Sequence, residues 1–261
     1  MLDVEAMGPR CRQQTRRGRP SVLALAALLL STWSALAPQA RALGPGSGVD
    51  IRRVVVGDDV GASNKAPERL AWEIRKRTSI ETLLEPTTVR LDDASVFRTP
   101  LLYWSGDRAF APLGERELTG LRRFVEYGGF LIIDDAASEA GGFEASVRRE
   151  LARAFPTERL ERLPAAHTIF RSFYLLEGAD TLDALVHAGR VAIVYARRDL
   201  GSAWIAGQFG ESSAAAASVG SEEREFALRL GVNLVMYALC LDYKDDQVHA
   251  PFILRRRAGR P

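Results

Sequence analysis

Acidic residues follow apolar segments of this chain at the positions where strands of a sheet would end. The clearest case is the apolar run 130–133, which follows a Gly-Gly break and leads directly into Asp134 and Asp135. A short apolar run between turn residues predicts a strand buried on both faces, as in a parallel sheet. Two other predicted strands are also followed by acids. Asp58 and Asp59 follow the first of these strands, and Asp107 follows the second. Because ligands bind beyond the carboxyl ends of such strands, we expect a site at this edge of the sheet.

These carboxylates are suited to three kinds of role. Converging carboxylates could hold a divalent cation, or accept hydrogen bonds from a sugar or an amine. A pair could also act as general acid and general base if burial separates their pKa values. In the third role the acids are structural, because aspartate after a strand often caps the next helix or forms an Asx-turn. No metal-ligand spacing accompanies the acids, so the sequence favours the structural role and predicts neither a metal nor a cofactor.

His167 is a further candidate, and it lies beside the aromatic residues Phe170, Phe173 and Tyr174. It could act as a base or ligand that reaches the strand-end acids, although a histidine among apolar neighbours is more often a hydrogen-bonded structural residue. The glycine-rich segments contain neither the Gly-x-Gly-x-x-Gly nor the Walker A pattern, and the chain has no Gly-x-Ser-x-Gly. The sequence therefore carries no signature of a dinucleotide-binding protein, a P-loop protein or an α/β-hydrolase.

The first 42 residues have the layout of a secretory signal peptide. A positive segment containing Arg16, Arg17 and Arg19 precedes the unbroken apolar run 22–30, and a small-x-small pattern ends at Ala42. We predict cleavage after Ala42 and export to the periplasm or beyond, with the periplasm preferred. The apolar run is shorter than the roughly 20 residues that span a bilayer, so no stable membrane span is predicted after cleavage. An uncleaved anchor is the alternative.

Basic residues are concentrated in this leader. Residues 1–42 contain six arginines and two acids, whereas the whole chain has a net charge of +2, so the rest of the chain is slightly acidic. The isoelectric point is therefore no evidence for nucleic-acid binding, and no nucleic-acid partner is predicted. After cleavage Cys240 is the remaining cysteine, which excludes an internal disulfide framework and a cysteine-based metal cage. Its apolar helical surroundings predict a core residue.

Strand and helix patterns alternate along the rest of the chain. Strands are predicted at 51–56, 87–91, 101–104, 130–133, 160–163 and 191–195, and helices from about Pro67, Glu115, Phe143 and Ser221. This alternation implies an α/β fold with a mostly parallel sheet and helices on both faces. We predict one domain over residues 51–244, preceded by a flexible lead-in at 43–50 and followed by a basic, disordered tail at 245–261.

A series of short motifs runs through the predicted domain in order. They are residues 97–106, residues 121–135, Leu163-Pro164, His167-x-Ile169-Phe170, Ser172-Phe173-Tyr174, Asp199-Leu200-Gly201 and Gly231-Val232-Asn233. This order resembles a bacterial family of unknown function whose domain is similar to class I glutamine amidotransferases. The resemblance covers residues 51–241 and implies a flavodoxin-like three-layer sandwich.

The same resemblance bears on the site. In active amidotransferases the nucleophilic cysteine stands on a sharp turn after the strand that matches 130–133. Asp134 and Asp135 occupy that turn here and no cysteine lies nearby, so amidotransferase chemistry is excluded. The resemblance implies AAA+ ATPases or von Willebrand-type domain proteins as envelope partners. Together with the residues above, its motifs give a candidate pocket of Asp58, Asp59, Asp107, Asp134, Asp135, His167 and Asp199.

Three hypotheses follow from the sequence. The leading one is an exported, non-catalytic binding or assembly module of the bacterial envelope. The alternative is a carboxylate- or metal-dependent hydrolase, with carbohydrate as one substrate class, that uses Asp134 and Asp135 with Asp58, Asp107 or His167. The third is a purely structural envelope protein. A hydrolase requires the acids to line an open cleft, with carboxylates within about 8–10 Å of each other, whereas acids that cap helices or bind backbone N–H groups favour the other two.

Overall fold

Strands that run in one direction make up most of the central sheet. The computed structural model describes residues 48–57, 65–136, 142–177, 182–206 and 220–258, with side chains described as far as Cys240. Within these ranges the strands are β1 (Arg52–Val54), β2 (Thr88–Val89), β3 (Leu101–Gly106), β4 (Phe130–Asp135), β5 (Leu160–Arg162), β6 (Leu182–His187) and β7 (Arg190–Ala196). They form one seven-stranded sheet in the order β2-β1-β3-β4-β7-β6-β5.

Helices pack on both faces of this sheet. The described helices are α1 (Ala66–Arg77), α2 (Glu115–Glu126), α3 (Phe143–Ala154), α4 (Leu200–Ile205) and α5 (Ser221–Ala258), with 3₁₀ turns at Ala94–Arg98 and Thr168–Arg171. Apolar residues of α1, α4 and α5 share one core with Tyr103 and Ile132. Apolar residues of α2 and α3 share a second core with Trp104 and Ile133. The two cores confirm the predicted α/β, flavodoxin-like sandwich with a mostly parallel sheet.

Strand β4 shows how the sequence supplies both cores. Successive side chains of a strand point to opposite faces. Phe130 and Ile132 accordingly lie in the core on the α1, α4 and α5 face, and Leu131 and Ile133 lie in the core on the α2 and α3 face. All four are fully buried. A central strand that is covered on both faces has to be apolar throughout, which is the pattern that predicted it.

One edge of the sheet departs from the predicted pattern. Strand β6 runs antiparallel to both of its neighbours, β7 and β5. The turn between β6 and β7 contains Ala188 and Gly189, with φ of 50° and 80°. Positive φ at both central residues is what a two-residue type I′ hairpin turn requires. The sequence prediction missed β6 because alanine, which does not favour this turn, stands where Asn or Asp usually signals it.

Other boundaries also differ from the predictions. Strand β1 is shorter than the predicted 51–56, and α4 was not predicted. The backbone of α5 continues to Ala258, into the segment 245–261 for which the sequence predicts a disordered tail. The predicted signal peptide, residues 43–47 of the lead-in, and Asp58 and Asp59 lie outside the described residues. In the part of the chain that is described, no helix combines the length and apolar character that crossing a membrane requires.

Candidate functional site

The sheet brings four of the predicted site residues to one edge. Strands β3, β4 and β7 are parallel, so their carboxyl ends lie together. In the register, Asp134 is paired with Ser105 on one side and with Ala196 on the other, and Asp135 is paired with Gly106. The residues carried to this edge are Asp107, Asp134, Asp135 and Asp199.

Asp134 is fully buried and makes three hydrogen bonds within the protein. Its Oδ1 accepts from the backbone N–H of Leu200 at 2.8 Å, and its Oδ2 accepts from that of Gly201 at 2.7 Å. Oδ2 also accepts from the hydroxyl of Tyr103 on β3 at 2.5 Å. The carboxylate therefore joins β4 to β3 and to the first turn of α4, whose N–H groups have no partner within the helix.

Burial controls the ionisation of this carboxyl group. Removal from water, and secondly the nearby charge of Asp199, raise the pKa of Asp134 to about 7, although the hydrogen bonds from Tyr103, Leu200 and Gly201 oppose this shift. The pKa of the Tyr103 hydroxyl lies well above its usual value, mainly because of burial and secondly because of the Asp134 charge. Asp134 is thus a group that changes its protonation near neutral pH inside the core.

Asp199 has a local structural role. It precedes α4, and its side chain accepts a hydrogen bond from the backbone N–H of Ser202 at 2.7 Å. This is the N-cap arrangement that aspartate favours. Trp204 of α4 donates its indole N–H to the carbonyl of Ala227 on α5 at 2.8 Å, which fixes α4 from its other end.

Asp135 points to the opposite face of the sheet. Its Oδ2 accepts a hydrogen bond from the hydroxyl of Tyr195 on β7, and its side chain is half-buried. Burial and this hydrogen bond raise the pKa of the Tyr195 hydroxyl. The guanidinium group of Arg148 lies 6.0 Å from the Tyr195 ring centre and binds Asp183 of β6 at 2.8 Å. Asp135 therefore lies at the rim of a polar network rather than in the core.

An aromatic cluster lies beside Asp135 on that face. The rings of Trp104, Phe110 and Phe143 have centroid separations of 5.2 to 6.0 Å. Gly106, which is paired with Asp135, lies directly against this cluster, because a Cβ atom there would be 2.2 Å from the Phe143 ring. Glycine is thus required for α3 to approach the end of β3.

The remaining described candidates do not add to a common site. Asp107 accepts a hydrogen bond from the neighbouring Arg108 at 3.0 Å, and both are at least partly exposed. The Nδ1 atom of His167 accepts from the backbone N–H of Ile169 at 3.2 Å and so begins a 3₁₀ turn.

The location of His167 contradicts the idea that it reaches the strand-end acids. Its ring lies 5.7 Å from that of Tyr237, which lies 5.6 Å from the ring of Phe130. Phe130 begins β4, and the four residues to Asp134 correspond to about 13 Å of strand. His167 is therefore at the amino end of the sheet. The sequence could not show this, since proximity to aromatic residues along the chain does not specify which end of the sheet those residues cover.

A cavity of about 700 Å³ lies at the carboxyl ends of β1 and β3, at the point where the strand order reverses direction. It is lined by Val56, Gly57, Arg90, Glu117 and residues 108–113. Ligands of open α/β sheets bind at this topological position.

The sequence prediction missed the arginines and the aromatic residue in this lining. Arg90 follows β2 and Arg108 follows β3, and this position after a strand is the sequence feature that could have identified them as site residues. Each arginine has an acidic partner: Arg90 binds Glu117 at 3.2 Å, and Arg108 binds Asp107. Within the described ranges, no three His, Cys, Asp or Glu side chains are grouped so that they could hold a metal ion.

Comparison with known proteins gives a family. A family model described as a domain of unknown function (DUF4159) matches residues 50–239, which is more than half of the chain, and the chain belongs to that family. A comparison with curated proteins finds no match.

Proposed function

We propose that this member of the family is a non-catalytic binding or assembly module, exported to the bacterial envelope and built on an amidotransferase-like domain. The observation that supports this proposal most is that the strand-end acids are engaged in hydrogen bonds within the protein. Asp134, Asp199 and Asp135 each accept hydrogen bonds from their own chain. Such bonds are those of caps and cross-links, and they leave these groups poorly suited to activate a substrate.

The end of β4 supports the same proposal. In an amidotransferase-like domain the nucleophile follows this strand on a sharp turn, whereas here Asp134 and Asp135 are the last two residues of β4 itself. The described free cysteine is Cys240, which lies on α5. A carboxylate in place of a thiolate cannot form the acyl intermediate of glutamine hydrolysis in the same way, since the thiolate is the nucleophile in that chemistry.

The cavity at β1 and β3 is the place where we expect a ligand or a partner segment to bind. Its lining combines an aromatic ring, Phe110, with the guanidinium groups of Arg90 and Arg108. Aromatic and arginine side chains contribute strongly to protein interfaces. Envelope proteins, including AAA+ ATPases and von Willebrand-type domain proteins, are the partner candidates that the family resemblance supports.

The hydrolase alternative depends on two carboxyl groups whose pKa values are separated. Asp134, with its pKa raised to about 7, has the ionisation expected of a general acid. However, it is fully buried, with no exposed surface, so a substrate cannot contact it without opening the core. This burial is why we prefer binding to catalysis.

An activity test separates the two functions. The full-length protein and its Asp135→Asn variant are assayed with model glycosides, esters and phosphate esters, with and without divalent cations. We expect no turnover that differs between the two proteins, because no strand-end acid acts on a substrate. A turnover that Asp135→Asn abolishes while the variant keeps its circular dichroism spectrum and Tm would contradict the proposal and favour the hydrolase.

A binding test addresses the cavity directly. A thermal-shift screen against sugars, nucleotides and divalent cations is run on the protein and on Phe110→Ala, with Tyr127→Ala as an exposed aromatic control outside the cavity. A ligand at 100 times its Kd stabilises the protein by about 2.7 kcal/mol. We expect Phe110→Ala to lose that shift and Tyr127→Ala to keep it. A ligand shift that both variants keep would place binding elsewhere.

Export is tested by expression with the leader in a bacterial host. We expect the protein in the periplasmic fraction with Leu43 at its amino terminus. Retention of the leader in the membrane fraction would favour the uncleaved anchor instead.

A further inference from the structure

Arg224 lies in the first turn of α5 and has no counter-ion among the described residues. Its Nε atom is buried and has no hydrogen-bond partner, and none of the ion pairs between described residues includes this side chain. A positive charge in the first turn of a helix is also at the unfavourable end of the helix dipole. A guanidinium group in this position costs stability unless an anion is bound beside it.

Arg69 of α1 is a second cation at the interface of α1 with α5. Its side chain is 13 % exposed, its Nη2 atom binds Glu73, and its guanidinium group stacks 4.6 Å from the ring centre of Trp72. The Nε atom of Arg69 is buried without a hydrogen-bond partner. Burial lowers the pKa of Arg69, and the positive charge of Arg224 lowers it further, although Glu73 opposes both effects. Arg77 binds both Glu73, the partner of Arg69, and Glu225, the neighbour of Arg224, so the two guanidinium groups belong to the same interface of α1 with α5.

The carboxylates at this interface are already engaged by other arginines. Glu73 binds Arg77 at 2.5 Å as well as Arg69. Glu225 binds Arg77 through both oxygens, at 2.8 and 2.9 Å, and also binds Arg229 at 2.8 Å. The interface of α1 with α5 thus has four arginines for two carboxylates.

The other acids of this turn form no ion pair with Arg69 or Arg224 in the described part of the chain. Glu222 and Glu223 are exposed, and Glu223 binds Arg198 at 3.2 Å. An excess of positive charge therefore remains at the interface itself, where Arg224 is the member without an ion pair among the described residues.

We propose that Arg69 and Arg224 form a binding site for an oxyanion, either a phosphate or a carboxylate group, at the interface of α1 with the first turn of α5. Guanidinium groups present several N–H donors in a planar fork that matches the oxygens of both kinds of group. The N–H groups of the first turn of α5 add donors that have no partner within the helix. This site is separate from the strand-end edge, and the proposal does not depend on the function proposed above.

The first test measures binding on the full-length protein. Tm is recorded with increasing inorganic phosphate or acetate, at an ionic strength held constant with sodium chloride, for the unmodified protein, Arg224→Gln and Arg75→Gln. Arg75 is the matched control, because it lies on α1, is half-exposed and is paired with Glu81 at 3.1 Å. We expect a saturable rise in Tm with phosphate or acetate that Arg75→Gln keeps, and an affinity about tenfold weaker or worse in Arg224→Gln.

The two anions distinguish the source of the oxyanion. A response to phosphate alone indicates a phosphorylated ligand, and a response to acetate indicates an acidic side chain or metabolite. No saturable response to either, or an equal response in Arg224→Gln, overturns the proposal.

The second test needs no ligand. In chloride buffer without oxyanions, Arg224→Gln should have a Tm equal to or higher than that of the unmodified protein, because it removes a charge that has no partner and repels Arg69. Sites kept for binding often reduce stability in this way. A lower Tm, or failure of Arg224→Gln to fold, would show that Arg224 supports the fold and would overturn the proposal. Arg224→Lys keeps the charge without the planar fork, and we expect its oxyanion affinity to lie between those of the unmodified protein and Arg224→Gln.

Discussion

Asp134 and Asp135 are adjacent in the sequence, and each accepts a hydrogen bond from a tyrosine on a neighbouring strand, yet they have different environments. Asp134 faces the core of α1, α4 and α5, is fully buried and has three donors. Asp135 faces the α2 and α3 side and is half-buried. The alternation of a strand thus assigns one acid to the structure of the core and the other to the surface. A pair of acids after a strand is therefore not by itself evidence for paired chemistry.

The largest difference between the two acids should appear on truncation. Asp134→Ala leaves the Tyr103 hydroxyl and the N–H groups of Leu200 and Gly201 without their acceptor, and should lower the free energy of unfolding by roughly 3–5 kcal/mol. Asp135→Ala should lower it by about 1 kcal/mol, since water can replace its carboxylate. Urea unfolding followed by circular dichroism measures both. Equal losses in the two variants would show that burial does not separate the two acids.

The pH dependence of stability sharpens the same contrast. The folded pKa of Asp134, about 7, is higher than the ordinary value of 3.8, so the folded protein holds a proton that the unfolded chain releases between these values. The contribution of Asp134 to stability is therefore greatest below pH 4 and is lost as the pH rises to about 7.

The measurement compares the protein with Asp134→Asn by chemical denaturation across this range. Relative to the variant, the protein should lose roughly 2–4 kcal/mol between pH 4 and 7, at 1.36 kcal/mol for each unit of pKa shift. A difference in unfolding free energy that stays constant with pH would mean that the pKa of Asp134 is not raised.

The two tyrosines provide a smaller and more specific comparison. Tyr103→Phe removes a buried donor to Asp134 and should cost roughly 2 kcal/mol, while Tyr195→Phe removes a donor to a half-exposed carboxylate and should cost roughly 1 kcal/mol. Both substitutions keep the ring, so the packing of the strands is matched. The order of the two losses in urea unfolding is the critical result, and the reverse order would contradict the assignment of Asp134 as the core acid.

Asp107 gives the smallest expected effect. Its bond to Arg108 joins two partly exposed neighbours, and such pairs contribute little. Asp107→Ala should change the free energy of unfolding by less than about 0.5 kcal/mol. A larger loss would show that this strand end is more tightly structured than its exposure indicates.

The sequence predicted the sheet well where the chain is buried on both faces. The apolar run at 130–133 and the segment at 101–104 became β4 and β3, because only strands covered on both faces remain apolar at consecutive positions. The position of the acids at the carboxyl edge followed from the same pattern. β6 escaped prediction because its turn is formed by Ala188 and Gly189, which lack the usual hairpin residues.

The role of the strand-end acids could not be predicted from the sequence. The donors to Asp134 lie on Leu200 and Gly201, 66 and 67 residues farther along the chain, and on Tyr103. Such partners are determined by tertiary structure, which no local spacing reports. The cavity near Arg90 and Arg108 was missed for the same reason, since its lining comes from four separate stretches of the chain, at 56–57, 90, 108–113 and 117. Helix α4 was missed because six residues are too few to show a helical period.

The bonds between Asp134 and α4 also have a consequence for the order of folding. A helix of six residues does not form by itself in water. We infer that α4 forms only once β4 presents the Asp134 carboxylate. We therefore expect the loop of 66 residues between Asp134 and Leu200 to close late in folding. Interactions that are absent from the transition state affect the rate of unfolding more than the rate of folding. Loss of Asp134 should accordingly shorten the lifetime of the folded protein while leaving its refolding rate nearly unchanged, and α4 is the element whose formation completes the fold.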